Sequence, residues 1–532
     1  MKGVARVVGS PIIFLLGEGH LGMRTSLLSM LVWGAVTVAM AFAWIPSALA
    51  QRRVTGLISP PDARRYGLNV RWVTTVQVNP SVARVAGMKM HVDSKRAHTY
   101  FEVIADGART VFSERRLDAY GEPLGVEGAK KAAEEYGELL KSRGAKEVEV
   151  QQRVVAHMVL YVLTDAALLQ AIDAETGKTL WRAEVGDPRE VSIGPAVSDD
   201  FVAIINGLKL RIFDAESGRR LWTKTLDNVP IVSPLIVDRV VFVPTASGRV
   251  VSYLIDNPMK DRPHLPSFGR IYTPATRMGS RMIWSTNEGY LNIASAISKN
   301  VEYYIETDDV VANSPVFVPP NTVLYATKHG TLYSMDPSPP RIRWRYPTGD
   351  WTHQQPIPIG GRVYYITDIL GLHAIDLKTG KALWNTRQIG RFVAATDRHV
   401  YVLDRAKRMV VLNAENGNRL AVFHTEELDL TFTNIYTDRI FIGTKRGLLQ
   451  CVHEIANEWP VMHWGGEETA ESEQAAQGDK AAKPAEQPKE PADPFAAPAD
   501  EDPFGAPMKK DDGADDDPFG APKKDDDNPF GN

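Results

Sequence analysis

Residues 171–177 read Ala171-Ile172-Asp173-Ala174-Glu175-Thr176-Gly177, and Trp181 follows four positions later. The phrase returns as Phe213-Asp214-Ala215-Glu216-Ser217-Gly218 ahead of Trp222, and as Ala374-Ile375-Asp376-Leu377-Lys378-Thr379-Gly380 ahead of Trp384; Asn413-Ala414-Glu415-Asn416-Gly417 is a worn copy. Each residue type has a job. The Asp side chain caps the backbone of a turn, Gly supplies its left-handed residue, and the Trp begins the strand that follows.

Working outward from the phrase, two further landmarks keep its period. Gly207, Gly248, Gly289, Gly330 and Gly371 lie 41 residues apart, each between two short β-rich runs such as Val240–Val243 and Val250–Leu254. Glycine there is what a tight hairpin with positive φ demands. The aromatics Trp181, Trp222, Tyr304, Trp344, Trp384 and Phe423 are separated by 41, 82, 40, 40 and 39 residues. Segments opening with Gly194-Pro195, Ser233-Pro234 and Ser314-Pro315 supply one more strand per unit. Four antiparallel strands in about 40 residues make one propeller blade, and stacking neighbours is what buries its two apolar faces. The periodic Trp is expected to fill the gap between blades. Eight units are expected, centred near residues 165, 206, 248, 289, 329, 370, 407 and 446. The last lacks its closing strand, for which two candidates stand: Gly67 to Val73, with Trp72, and Val461 to Trp464.

The Ala-x-Asp-x-x-Thr-Gly-x-x-x-Trp phrase, recurring in register over residues 150–455, resembles the repeat of the pyrroloquinoline-quinone-type β-propeller family. The resemblance implies an all-β, eight-bladed propeller of four-stranded antiparallel blades. In that propeller Asp173, Gly177, Trp181, Asp214, Gly218, Trp222, Trp344, Asp376, Gly380 and Trp384 are structural repeat residues. It also implies two functions. The catalytic members hold a calcium-bound quinone in the central funnel and oxidise alcohols or sugars. Several carry a vicinal Cys-Cys ring, which a chain with Cys451 as its single cysteine cannot form. No calcium ligand or catalytic Asp falls on a matching motif here. The chain is closer in kind to the family's non-catalytic outer-membrane assembly scaffolds. It is therefore expected to be no enzyme, to have no catalytic or metal-binding residue and no cofactor, and to bind other envelope proteins through propeller-face loops. The alternatives are a quinone- and calcium-dependent dehydrogenase and a propeller that binds small ligands or polysaccharides. For the last, Trp284, Trp351 and Trp459 lie outside the aromatic register and are the residues to inspect.

The flanks carry other information. Leu27 to Ile45 is uncharged, follows Met23-Arg24, and runs into Ala48-Leu49-Ala50. That is the pattern of a secretory signal cleaved after Ala50, or of an uncleaved membrane anchor, with Met23 a possible start. Either sends the body out of the cytoplasm, to the periplasm or cell envelope. Membrane attachment requires the uncleaved form, and no cysteine follows to carry a lipid. The domain reading is a signal or anchor over 1–50, a linker over 51–67, the propeller over 68–464 with an insert at about 78–147, and an acidic tail over 465–532. In the insert, Thr99 to Ala105 and Arg109 to Phe112 read as a hairpin, and Val126, Ala129, Ala133, Tyr136 and Leu140 as one helical stripe ending near Gly144. Leu117 to Gly121 faintly echoes the repeat phrase, as a degenerate ninth unit would.

The tail holds 19 acidic residues and 7 lysines, a net charge of -12, leaving +8 on residues 1–464. Poor in apolar residues, it is expected to be disordered. Its repeated Asp/Asn-Pro-Phe motifs place Phe495, Phe504, Phe519 and Phe530 as candidate stickers, where repetition raises effective concentration. A charge of +8 spread over the body is no nucleic-acid footprint. Protein partners and a monomeric propeller are expected. Gly177-Lys178-Thr179 lacks the upstream glycine of a phosphate loop, and neither a G-x-S-x-G elbow nor an H-E-x-x-H pair occurs.

Overall fold

The structure is a computed structural model that describes residues 57–463, apart from 78–82, 107, 119, 261, 298–299, 424 and 426–427. The expected signal or anchor, residues 51–56 of the linker, Trp464, and the tail with Phe495, Phe504, Phe519 and Phe530 lie outside the described residues.

Helix α1 (Pro60–Arg65) opens the described chain, with Ser59 as N-cap and Pro in its first turn. Strand β1 (Leu68–Thr75) follows, and nearly everything after it is strand. The described residues form eight antiparallel sheets, seven four-stranded and one five-stranded. Sheet 1 holds β2 (Val85–Ala105), β3 (Ala108–Ser113), β4 (Val148–Thr164), β5 (Leu168–Asp173) and β6 (Thr179–Glu184). Sheets 2 to 7 occupy residues 192–225, 235–266, 276–306, 316–347, 357–386 and 389–423, each a simple meander of four strands. Sheet 8 takes three strands from 430–454 and β1 as its fourth.

Alternation along each strand sends residues to opposite faces, so each sheet is apolar on both. Each sheet meets the next through its own cluster. Leu163 and Leu169 of sheet 1 pack on Ile204 and Phe213 of sheet 2. The series continues to sheet 8, whose Phe441 and Leu449, with Trp72 of β1, pack on Leu160 and Ile172 of sheet 1. The succession therefore returns to its start, the propeller arrangement in which no sheet keeps a wet apolar face.

The repeat residues explain how neighbours lock. Asp173 Oδ1 accepts the amides of Glu175 and Thr176 (3.1 and 2.9 Å), Asp214 Oδ1 that of Ser217 (2.8 Å) and Asp376 Oδ1 that of Thr379 (2.7 Å). These turns bring Gly177, Gly218 and Gly380 to φ near +70°. Against each glycine lies the tryptophan of the preceding sheet: a Cβ on Gly177 would stand 2.6 Å from the Trp72 ring, on Gly218 2.4 Å from Trp181, and on Gly380 2.5 Å from Trp344. Each indole N–H also donates to a carbonyl in that turn: Trp72 to Ala174 (2.9 Å), Trp181 to Ala215 (2.8 Å), Trp344 to Leu377 (3.0 Å) and Trp384 to Ala414 (3.0 Å). Trp222 bonds Ile255 in the same way, at 2.8 Å. A β-bulge beside these tryptophans re-aims the side chain toward the next sheet. The 82-residue gap in the aromatic register is filled by Arg262, whose guanidinium donates to Ala296 at 2.8 Å.

Strand β1 pairs antiparallel with Leu448–Glu454, so Trp72 closes sheet 8. Residues 455–463 have another role. Trp459 packs at a tilt against Tyr100 and donates to Glu102 (3.0 Å), while the fully buried Arg439 reaches the carbonyls of Asn457 and Glu458 (2.9 and 2.6 Å) and Glu175 of sheet 1 (3.2 Å).

One expected boundary is corrected. The insert does not start at 78, because Val85 to Val92 pairs with Met158 to Thr164 as the first strand of sheet 1. Beyond a bulge the same two strands continue as a ribbon, Ala97–Ala105 against Val148–Ala156, with β3 on its edge. Helix α2 (Gly125–Ser142) buries Ala129, Ala133 and Gly137 against Phe101, Val103 and Phe112. The segment from Leu117 to Gly121 forms no ninth unit: Asp118 caps an exposed loop that one bridge closes between Leu117 and Pro123.

Candidate functional site

Antiparallel alternation sorts the loops. The turns between second and third strands share one face with the linkers that lead to the next sheet; the other two turns of each sheet share the opposite face. On the first, which we term the linker face, backbone groups are tied across successive sheets. Asp350, in the linker before sheet 6, accepts the amides of Ile369 and Leu370 in that sheet's turn (2.6 and 2.8 Å). Asp309 accepts the amide of His329 (3.0 Å) and its Nδ1 lies 2.7 Å away. Asp429 takes the Lys445 amide (2.6 Å), and Thr307 and Thr348 donate back to Gly289 and Gly330 (2.6 and 2.7 Å). Against the upward push of burial, these amide bonds hold the Asp309 and Asp350 carboxyls below their ordinary value. The Gly330 position needs glycine twice over: φ is +80°, and a Cβ would meet the Asp350 carbonyl.

Such loops can carry exposed apolar side chains without collapsing. Val191, Leu208, Val229, Phe268, Trp351 and Ile369 are all exposed, and all lie in linkers or turns of this face. Two cavities open among them. One, of about 400 Å³, is walled by Tyr272, Val310, Ala312, Trp351 and His353, with Lys328 at its side. The Lys328 ammonium stands 4.9 Å from the Trp351 ring centroid, and the His329 ring meets the same indole edge-on. The second, about 460 Å³, lies beside Asp368, Ile369 and Arg405, and a His353–Asp368 pair at 3.0 Å separates the two.

The opposite face carries a polar cavity of about 320 Å³ at the root of the ribbon. Its charges pair internally: His91 with Asp199 (2.9 Å), Arg96 with Asp93 (2.5 Å) and Arg115 with Asp173 (2.8 Å). Burial holds His157 neutral, its pKa pushed down to about 4. Among the described residues no group of three or more His, Cys, Asp or Glu side chains could hold a metal ion, and no helix is long and apolar enough to cross a membrane. Cys451 is free and fully buried, its thiol pushed up by desolvation.

The structure places every described repeat residue in the inter-sheet lock, none at a cavity on the linker face. Of the three out-of-register tryptophans, Trp284 is fully buried and donates to Ser267 (2.7 Å), Trp459 is tied to the ribbon, and Trp351, 48% exposed, lies at a cavity. Sequence reasoning missed Lys328, Tyr272 and Ile369, because the linkers and turn tips carry no periodic signature.

A family model described as outer membrane protein assembly factor BamB matches residues 131–258 and 281–479. The outer membrane protein assembly factor BamB of Moranella endobia (strain PCIT) is 22% identical over 323 residues, covering 57% of this chain and 74% of that protein. Its counterpart from Burkholderia pseudomallei (strain K96243) is 23% identical over 251 residues, covering 43% and 63%. The crystal structure of BamB from Moraxella catarrhalis is 15% identical, covers 56% of this chain and 91% of that one, and superposes with a TM-score of 0.46. Residues 57–130, with β1 and most of the ribbon, fall outside the family match.

Proposed function

Since this chain belongs to the family described as outer membrane protein assembly factor BamB, we propose that it is an exported, non-catalytic scaffold that helps assemble proteins in the cell envelope. In this reading the eight sheets are eight blades of one closed ring, the linker face is the docking surface, and the protein works in the periplasm without a cofactor. The Asp/Asn-Pro-Phe repeats of the tail add a second, multivalent binding element.

One observation carries the reading: Val191, Leu208, Val229, Phe268, Trp351 and Ile369 lie exposed on linkers and turns of one face, where side-chain bonds from Asp309 and Asp350 tie the backbone down. A rigid base with variable side chains is what recognition loops require, and exposed apolar patches on such a base mark interaction sites. Site-specific photo-crosslinking in intact cells tests it. Probes at Val229 and Ile369 are expected to capture outer-membrane assembly proteins, and a probe at Leu420 on the outermost strand of sheet 7 is not. Equal capture from all three positions, or none from the first two, overturns the proposal.

A further inference from the structure

We infer that the cavity beside Trp351 is the anchor pocket of the linker face, and that it takes one aromatic or large aliphatic side chain of a partner polypeptide carrying a carboxylate within one or two residues of it. The inference rests on reading that face as a docking surface and adds the chemistry of what docks.

Three linkers and a turn build the pocket. Tyr272 comes from the linker before sheet 4, Val310 and Ala312 from the linker before sheet 5, Trp351 from the linker before sheet 6, and Lys328 from the turn of sheet 5. About 400 Å³ lies within the range of pockets that bury a ligand, and holds a single large side chain with room for its backbone. The walls are fixed before anything binds. The Tyr272 hydroxyl donates to the Val311 carbonyl, Thr352 to that of Ile366 (2.8 Å), and the Lys328 amide to that of Val310 (2.8 Å). A half-exposed tryptophan on such a frame is the kind of residue that dominates an interface.

Charge selects the partner. His329 is paired with Asp309 and His353 with Asp368, whereas Lys328 forms no ion pair among the described residues and leans on the indole. A carboxylate arriving next to the inserted side chain completes Lys328; a basic neighbour is repelled by it.

A random decapeptide library displayed on phage, selected on the full-length protein and counter-selected on the Trp351→Ala protein, tests this directly. Enriched peptides are expected to pair Phe, Trp, Tyr, Leu or Met with Asp or Glu within two positions. The best of them, made synthetically, should bind roughly tenfold or more weakly to Trp351→Ala, and should lose both affinity and salt dependence with Lys328→Glu. Enrichment without carboxylates, affinity indifferent to Lys328→Glu, absence of Trp351-dependent peptides, or Trp351-dependent binding of neutral glucan oligomers would each overturn the inference. None of these results bears on capture at Val229 and Ile369, so the anchor and the docking face stand or fall separately.

Discussion

Replacing Gly218 by alanine tests whether the inter-sheet lock is what the repeat phrase encodes. Two costs follow from the geometry. At φ of +69° an L side chain is strained by about 1–2 kcal/mol. The new Cβ, 2.4 Å from the Trp181 ring, must also drive out an indole that is 8% exposed. That displacement sacrifices the 2.8 Å bond to Ala215, about 1 kcal/mol, and forces repacking of about 1–3 kcal/mol. The sum is about 3–6 kcal/mol. Gly279 supplies the control, because its φ is +62° but nothing lies within 4 Å of its Cβ position. Gly279→Ala should cost only the strain, about 1–2 kcal/mol. Urea unfolding followed by far-ultraviolet circular dichroism gives both midpoints, and hydrogen exchange at the Trp181 indole N–H reports the lock itself. Equal midpoint shifts for the two variants, with the indole still protected in Gly218→Ala, would refute the lock as the reason for glycine.

Three further outcomes are expected. Arg262→Ala should cost about 1–3 kcal/mol by stripping the buried Ala296 carbonyl of its donor, and Arg262→Trp should restore part of it, read from the same urea midpoints. Glu175→Gln should destabilise by about 1–3 kcal/mol, because the buried Arg439 loses its charged partner from sheet 1 while Asp438 at 3.6 Å and the carbonyls of Asn457 and Glu458 still hold it, again read from urea midpoints. Stability should fall as pH drops below about 6.5, the ordinary histidine value, because burial depresses His91, His157, His373, His453 and His463, and the unfolded chain takes up protons that the native imidazoles refuse. Denaturant midpoints from pH 8 to 4 check the sign, and His157→Gln should flatten the slope.

How much of this was legible in the sequence follows from which positions have stringent chemistry. In sheets 1, 2 and 6 the turn after the third strand needs an Asp that caps, a glycine at positive φ and a tryptophan from next door, so there the phrase repeats almost letter for letter. The expectation that the periodic Trp fills the inter-sheet gap followed from that spacing. Arg262 escaped because a guanidinium can satisfy the same carbonyl without being aromatic, and the aromatic register then showed only a gap. The insert boundary was misplaced because Val85 to Val92 pairs with its neighbour without any of the phrase. The linker-face cavity was invisible for a different reason. Tyr272, Val310 and Trp351 come from separate linkers. Those linkers are held by whichever Asp, Asn or Thr reaches a free amide, and that tolerance leaves no pattern to read.

The same contrast bears on which face binds. On the ribbon side, His91, Arg96 and Arg115 find carboxylates within the fold, so a partner would have to break satisfied pairs to gain new ones. On the linker side carboxylates such as Asp309 and Asp350 are used in holding backbone, and around Trp351 what remains outward is apolar surface beside the Lys328 ammonium, which has no ion pair among the described residues. Binding there removes apolar area from water and gives Lys328 a partner, while the loops, already fixed, lose little freedom on association. The distribution of unmet interactions, more than the shape of either cavity, is the ground on which docking is proposed for the linker face.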